Sequence, residues 1–116
     1  MAHRLAMMGP ADRLYTSVVT EGELLFGVER LSGRRREALS RQVSAFLNGL
    51  TDVIAIGRGV ARVYAMVRRE LEVLGRPVPV NDLWIAAVAI DSSLKLVAHD
   101  KDFGHVRGLK LEDWLA

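Results

Sequence analysis

Residues 83–90 read Leu-Trp-Ile-Ala-Ala-Val-Ala-Ile. At helical spacing this segment is apolar on every side, so a helix built from it must be buried all round. Its three alanines permit close approach to a sheet. Asn81 or Asp82 stands where the cap of that helix is expected. The rest of the chain must therefore supply the layers that cover it.

Two periods alternate along the sequence. Leu14 to Val19 is short and rich in β-branched residues, which predicts a strand. Thr20 then opens a helix running to about Leu31, and Thr20-Glu21-Gly22-Glu23 fits a capping box. Leu39, Val43, Phe46, Leu47 and Leu50 share one face of a helix from Arg34 to about Leu50. Val53 to Ile56 is a second strand, ended by Gly57 and Gly59. Val60, Val63, Tyr64, Val67, Leu71 and Leu74 form a helical stripe that Gly75 terminates. After the buried helix come two more strands, Leu94 to Ala98 and Leu109 to Glu112, with Trp114 and Leu115 anchoring the C-terminal end. Strands alternating with helices predict a mainly parallel sheet in an α/β sandwich. Right-handed crossovers bring the carboxyl ends of the strands to one edge, where ligands bind.

Composition narrows the function classes. A chain of 116 residues fits one domain, here 1–116. No apolar run approaches the ~18 residues of a membrane span, and Met1 to Pro10 lacks the apolar core of a secretion signal. With no cysteine, disulfides and thiolate metal sites are excluded, and a reducing, cytoplasmic setting is expected. The net charge of +2 is too small to drive nucleic-acid binding alone. The basic residues are nonetheless arginine apart from Lys95, Lys101 and Lys110, and arginine grips phosphate bidentately.

Four acids fall where the sheet's ligand edge should be. Glu23 follows the first strand, Asp82 opens the buried helix, and Asp100 and Asp102 lie just beyond Leu94 to Ala98. Clustered carboxylates raise one another's pKa unless a cation neutralises them, and oxygen-only donors suit Mg2+ or Mn2+. Such an ion would acidify a water and stabilise charge on a phosphodiester. Each acid also has a structural reading. Glu23 can be the capping partner of Thr20, Asp82 an N-cap, and Asp100 and Asp102 ordinary turn residues.

Residues 16–27 (Thr-Ser-Val-Val-Thr-Glu-Gly-Glu-Leu-Leu-Phe-Gly), 81–87 (Asn-Asp-Leu-Trp-Ile-Ala-Ala) and 96–103 (Leu-Val-Ala-His-Asp-Lys-Asp-Phe) resemble segments of PIN-domain ribonucleases, in particular the VapC toxins of toxin–antitoxin pairs. Gly108 to Trp114 resembles their closing strand. The resemblance runs from Tyr15 onward in the family's order and spacing. It implies a PIN-like three-layer sandwich and a Mg2+-dependent endoribonuclease, with Mn2+ as the second choice of ion. It assigns Glu23, Asp82 and Asp100 as the catalytic, metal-holding acids, with Asp102 as an auxiliary ligand. It also implies in-line attack of a metal-bound water on RNA, leaving 5′-phosphate and 3′-hydroxyl ends. The implied partners are a homodimer mate and a small VapB-like antitoxin whose C-terminal segment lies across the site and inserts an arginine among the acids.

The sequence departs from that family at two places. Ala98 stands where threonine is frequent. No opening strand ending in an Asp-Thr-Asn or Asp-Ser-Asn type motif is present, and Met1 to Asp12 reads as the helix and loop that precede the second strand. Asp12, before Leu14, cannot stand in for the first acid. The expectation is thus a domain incomplete at its N-terminal side, with the first, central strand missing from the sheet. Two further readings follow from the same departure. One is a catalytically inactive or truncated PIN-like protein that binds antitoxin or self-associates. The other is a natural start lying further upstream. Among the remaining residues, His99 and His105 read as surface or metal-flanking histidines, His3 as incidental and Trp84 as core. Met7 and Met8 pack, or else mark a missing neighbour. Arg34 to Arg36 with Arg68 and Arg69 are candidates to grip RNA phosphate or acidic antitoxin groups.

Overall fold

The helices and all strands but the first form close to where the apolar periods place them. The structure, a computed structural model, describes residues 6–98 and 101–112, and of 101 and 102 only the backbone. The elements are β1 (Ala6–Met8), β2 (Leu14–Ser17), α1 (Val18–Glu29), α2 (Gly33–Asn48), β3 (Asp52–Ile54), α3 (Arg58–Leu74), α4 (Val80–Asp91), β4 (Lys95–Val97) and β5 (Lys110–Glu112). Short 3-10 turns occupy Pro10–Asp12 and Lys101–His105. The five strands make one sheet in the order β3-β2-β1-β4-β5. The expected α/β architecture with a mainly parallel sheet is present. The expected anchors Trp114 and Leu115 lie outside the described residues.

The centre of that sheet corrects one expectation. It is occupied by β1, which lies in a segment read from the sequence as helix and loop. β1 runs antiparallel to both neighbours, with Met7 opposite Tyr15 on one side and opposite Leu96 on the other. β2 with β3 and β4 with β5 are parallel, so four strands point one way and the middle one points back. The reason is chain length. Only residues 9–13 separate β1 from β2. Antiparallel strands close over so short a turn, whereas a parallel pair needs a crossover of a dozen residues or more. Gly9 N–H donates to the Arg13 carbonyl at 2.9 Å to close the turn. Ala11 (φ 59°) and Asp12 (φ 56°) adopt the left-handed conformation inside it, which L-residues enter at a cost of ~1–2 kcal/mol each.

Alternation along the strands sorts side chains between the two faces. Tyr15, Met7 and Leu96 lie in one cross-strand row and point into the main core. There they meet Val60, Val67 and Leu71 of α3 and nearly the whole of α4. Met7 is only 1% exposed. As expected, α4 is buried, with Leu83 and the run Ile85 to Ala89 inside. It begins three residues earlier than the apolar pattern suggested, with Pro79 at the N-cap position, so neither Asn81 nor Asp82 caps it. Helix α3 ends as expected at Gly75, whose φ of 68° is the left-handed stop. The Arg76 N–H donates to the Leu71 carbonyl at 2.9 Å, completing that cap. A smaller cluster of Leu24, Val28 and Val43 holds α1 against α2.

Candidate active site

Two connections decide where the acids lie. Ser17 is both the last residue of β2 and the N-cap of α1, so α1 starts at the carboxyl end of β2. Residues 92–94 reverse the chain tightly between α4 and β4, with Leu94 N–H donating to the Ala89 carbonyl at 2.9 Å. Helix α4 therefore runs back along β4, and its first turn sits at the carboxyl end of β4. Since β2 and β4 point the same way, the first turns of α1 and α4 share one edge of the sheet. Both helices aim the positive ends of their dipoles at that edge, where negative charge is favoured.

Glu23 and Asp82 lie on these two helices. Asp82 is in the first turn of α4 and is 5% exposed, a buried carboxylate. Glu23 is in the second turn of α1 and is exposed. Asp100 lies outside the described residues. Asp102 belongs to the 3-10 turn Lys101–His105, and its side chain is likewise outside the description. Among the described residues, no three acidic or histidine side chains are grouped closely enough to hold a metal. The described part of the expected set is thus the pair Glu23 and Asp82. Asp12 sits in the turn joining β1 to β2, at the opposite edge.

The two structural readings of these acids do not hold. Ser17, not Thr20, caps α1, its Oγ accepting from the Thr20 N–H at 3.2 Å. Thr20 is already inside the helix and Glu23 lies a turn further on, so Glu23 is no capping-box partner. Asp82 is two positions past the start of α4 and makes no cap. What sequence reasoning missed is a set of hydroxyls. The buried polar side chains among the described residues are Thr16, Ser17, Thr20 and Asp82, and all four belong to the end of β2 or the first turns of α1 and α4. Ser17 Oγ also donates to Thr20 Oγ1 at 3.4 Å. No buried side-chain nitrogen or oxygen among the described residues lacks a partner. Burying polar groups costs free energy unless they are bonded, so their concentration at one edge marks that edge as special. The signal was readable: Thr-Ser directly before a helix places two hydroxyls at a strand's carboxyl end.

β1 contributes nothing acidic here. At this edge the reversed strand begins, with Ala6, and its three residues are Ala-Met-Met. Trp84 stacks on Tyr64 with ring centroids 3.8 Å apart and planes 8° from parallel, packed against the core as expected. His105 is exposed in the 3-10 turn, while His99 and His3 lie outside the described residues. Arg36 pairs with Glu29 at 2.8 Å. Arg34, Arg35, Arg68 and Arg69 are exposed.

The PIN domain family model matches residues 1–109. The chain is 36% identical over 99 residues to ribonuclease VapC5 of Mycobacterium tuberculosis, covering 84% of this chain and 71% of that protein. It is 30% identical over 115 residues to ribonuclease VapC1 of Haemophilus influenzae strain R2866, covering 98% and 84% respectively. Among solved structures it resembles VapBC-1 from nontypeable Haemophilus influenzae, with a TM-score of 0.82 at 28% identity over 94% of this chain and 80% of that one. VapBC2 from Rickettsia felis, bound to a DNA fragment from their promoter, gives a TM-score of 0.79 at 30% identity over 86% and 74%.

Proposed function

Because the chain belongs to the PIN-domain family, we propose that it is a VapC-type toxin, an endoribonuclease that uses Mg2+ or Mn2+ and is neutralised by a VapB-like antitoxin. The observation that carries this reading is the buried polar edge. Asp82 is held 5% exposed at a helix N-terminus, beside the strand end that buries Thr16 and Ser17. A carboxylate is seldom buried unless paired or coordinating. The VapC5 and VapC1 ribonucleases support the reaction class, and the VapBC structures support the antitoxin.

The donors suit a hard divalent ion, since they are carboxylate oxygens with one of them buried. In this proposal Glu23, Asp82 and Asp100 hold the ion, with Asp102 as an auxiliary ligand. A cation bound there supplies Lewis acidity and neutralises charge on the phosphodiester. The chain's own part is orientation. The Ser17–Thr20 bonds fix the start of α1 and so the direction of Glu23. Burial of α4 fixes Asp82. Leu25 and Phe26, exposed on α1, offer apolar contact surface to a partner chain. A homodimer belongs to the same reading, and sedimentation velocity tests it.

Purified protein incubated with RNA and Mg2+ should cleave it, and Asp82→Asn should not. Equal rates for the two proteins would refute the catalytic reading. One observation favours a second reading, a silent module that binds antitoxin or itself: the central strand at the candidate site carries no acid. That reading expects antitoxin binding with no cleavage by either protein.

A further inference from the structure

Helix α3 ends beside a hollow. Arg68, Leu71, Glu72 and Gly75 follow one another at steps of three and four residues, which places them on one helical face. That face, the linker after it and the start of α4 surround a space of about 330 Å³, near the lower end of the range for small-ligand sites. Leu71 and Leu83 are its buried lining, and Val78 and Val80 complete its apolar walls. The backbone holds this shape without a ligand. Gly75 turns the chain at φ 68°, the Arg76 N–H is tied to the Leu71 carbonyl, and Pro77 and Pro79 fix their own φ.

Arg68 and Arg76 also line the hollow. Arg68 is already positioned. It donates to the Tyr64 hydroxyl at 2.7 Å, and its guanidinium carbon lies 5.9 Å from the centroid of the Tyr64 ring, which in turn stacks on Trp84. Among the described residues neither arginine has a carboxylate partner. The acid of the lining, Glu72, is held by Arg69. Two guanidinium groups against one carboxylate leave the hollow with one positive charge. Its walls and its charge select a ligand together. An apolar chain displaces water from Leu71, Val78, Val80 and Leu83, which is favourable in proportion to the area covered. A guanidinium fork matches a carboxylate head. A small inorganic anion gains nothing from the apolar walls, and a polyanion finds too few cations.

We propose that the hollow between the end of α3 and the start of α4 binds a small aliphatic carboxylate, with its chain on Leu71, Val78, Val80 and Leu83 and its head on Arg68 and Arg76. The proposal does not depend on the chemistry at the sheet edge. It bears on that edge through α4, because Val80 and Leu83 flank Asp82 on that helix.

The test titrates the full, isotope-labelled chain with octanoate, kept below its micellar concentration, and follows the backbone amide signals by NMR. Octanoate should give saturable shifts centred on residues 75–83. Octanol and octylamine carry the same chain under a neutral and a positive head, and each should bind about tenfold more weakly. Acetate, a head without a chain, should give no saturable shift. Arg68→Gln and Arg76→Gln, both at exposed positions, should each weaken octanoate by about tenfold and leave octanol unchanged. Arg41→Gln, exposed on α2, should alter neither ligand. Shifts centred elsewhere, octanol or octylamine binding as tightly as octanoate, or unchanged octanoate affinity in both hollow variants would overturn the proposal. So would a wild type that gives no saturable shift with octanoate, or shifts that follow protein concentration instead of octanoate, since the hollow would then be a contact between copies.

Discussion

Gly9 stands at the end of β1, and its requirement is purely one of space. Its backbone is extended (φ −114°, ψ −167°), a conformation open to any residue. A Cβ there would lie 2.8 Å from Leu94 Cδ2 and 3.1 Å from Tyr15 Cε2. Because Leu94 is buried, it has little freedom to yield. Gly9→Ala should cost about 1–3 kcal/mol by overpacking, seen as a lower midpoint in urea with the slope unchanged. Ser17→Ala tests the cap at the candidate site. It should remove about 1 kcal/mol of stability and lower the cleavage rate, because Glu23 loses its fixed helix start. Cleavage equal to wild type at matched folded fraction would separate the cap from the chemistry. Both acids of the described pair were legible as site candidates from their places after a strand and at a helix start. The capping reading set beside Glu23 fails on a local competition: the pattern Thr-x-x-Glu is present, but Ser17 captures the cap three residues earlier. Local motifs compete for one helix end, and a sequence does not say which hydroxyl wins.

The elements themselves were readable wherever a period ran long enough. Helices α2, α3 and α4 appear within a few residues of their expected limits, because stripes such as Val60, Val67 and Leu71 repeat over several turns. β1 was not readable. Ala-Met-Met has no β-branched residue, no alternation and only three positions. It is a strand because β2 and β4 present unpaired edges and Met7 fills an apolar slot between Tyr15 and Leu96. Tertiary context here overrides propensity. The expectation of an empty centre came from the absence of an opening strand motif. It overlooked that a short N-terminal segment can enter the same place in reverse. Met7→Ala should therefore cost about 2–5 kcal/mol, a loss a surface segment would not show. Ala11→Gly should raise the melting temperature, since glycine occupies φ near 59° without the steric penalty alanine bears. A melting temperature unchanged or lowered would show that the turn is not strained.

Across the whole molecule, the balance of buried apolar and polar groups separates stability from chemistry. The main core joins β1, α3 and α4 through apolar side chains, while the polar burial gathers at one edge. An ion bound at that edge would stabilise the native state by mass action, about 1.4 kcal/mol at a tenfold excess over its Kd. Mg2+ should thus raise the melting temperature of the wild type and leave that of Asp82→Asn unmoved. An equal rise in both proteins would place the ion elsewhere. The reversed central strand bears on cooperativity as well. β3 and β2 form one parallel ladder, β4 and β5 another, and among the described strands only β1 stitches them together. The sheet is two leaves bound by a three-residue spine. Amide exchange in β2 and β4, the two neighbours of that spine and far apart from each other in sequence, should therefore quicken together when Met7 is truncated, as two pages come loose when one thread is cut.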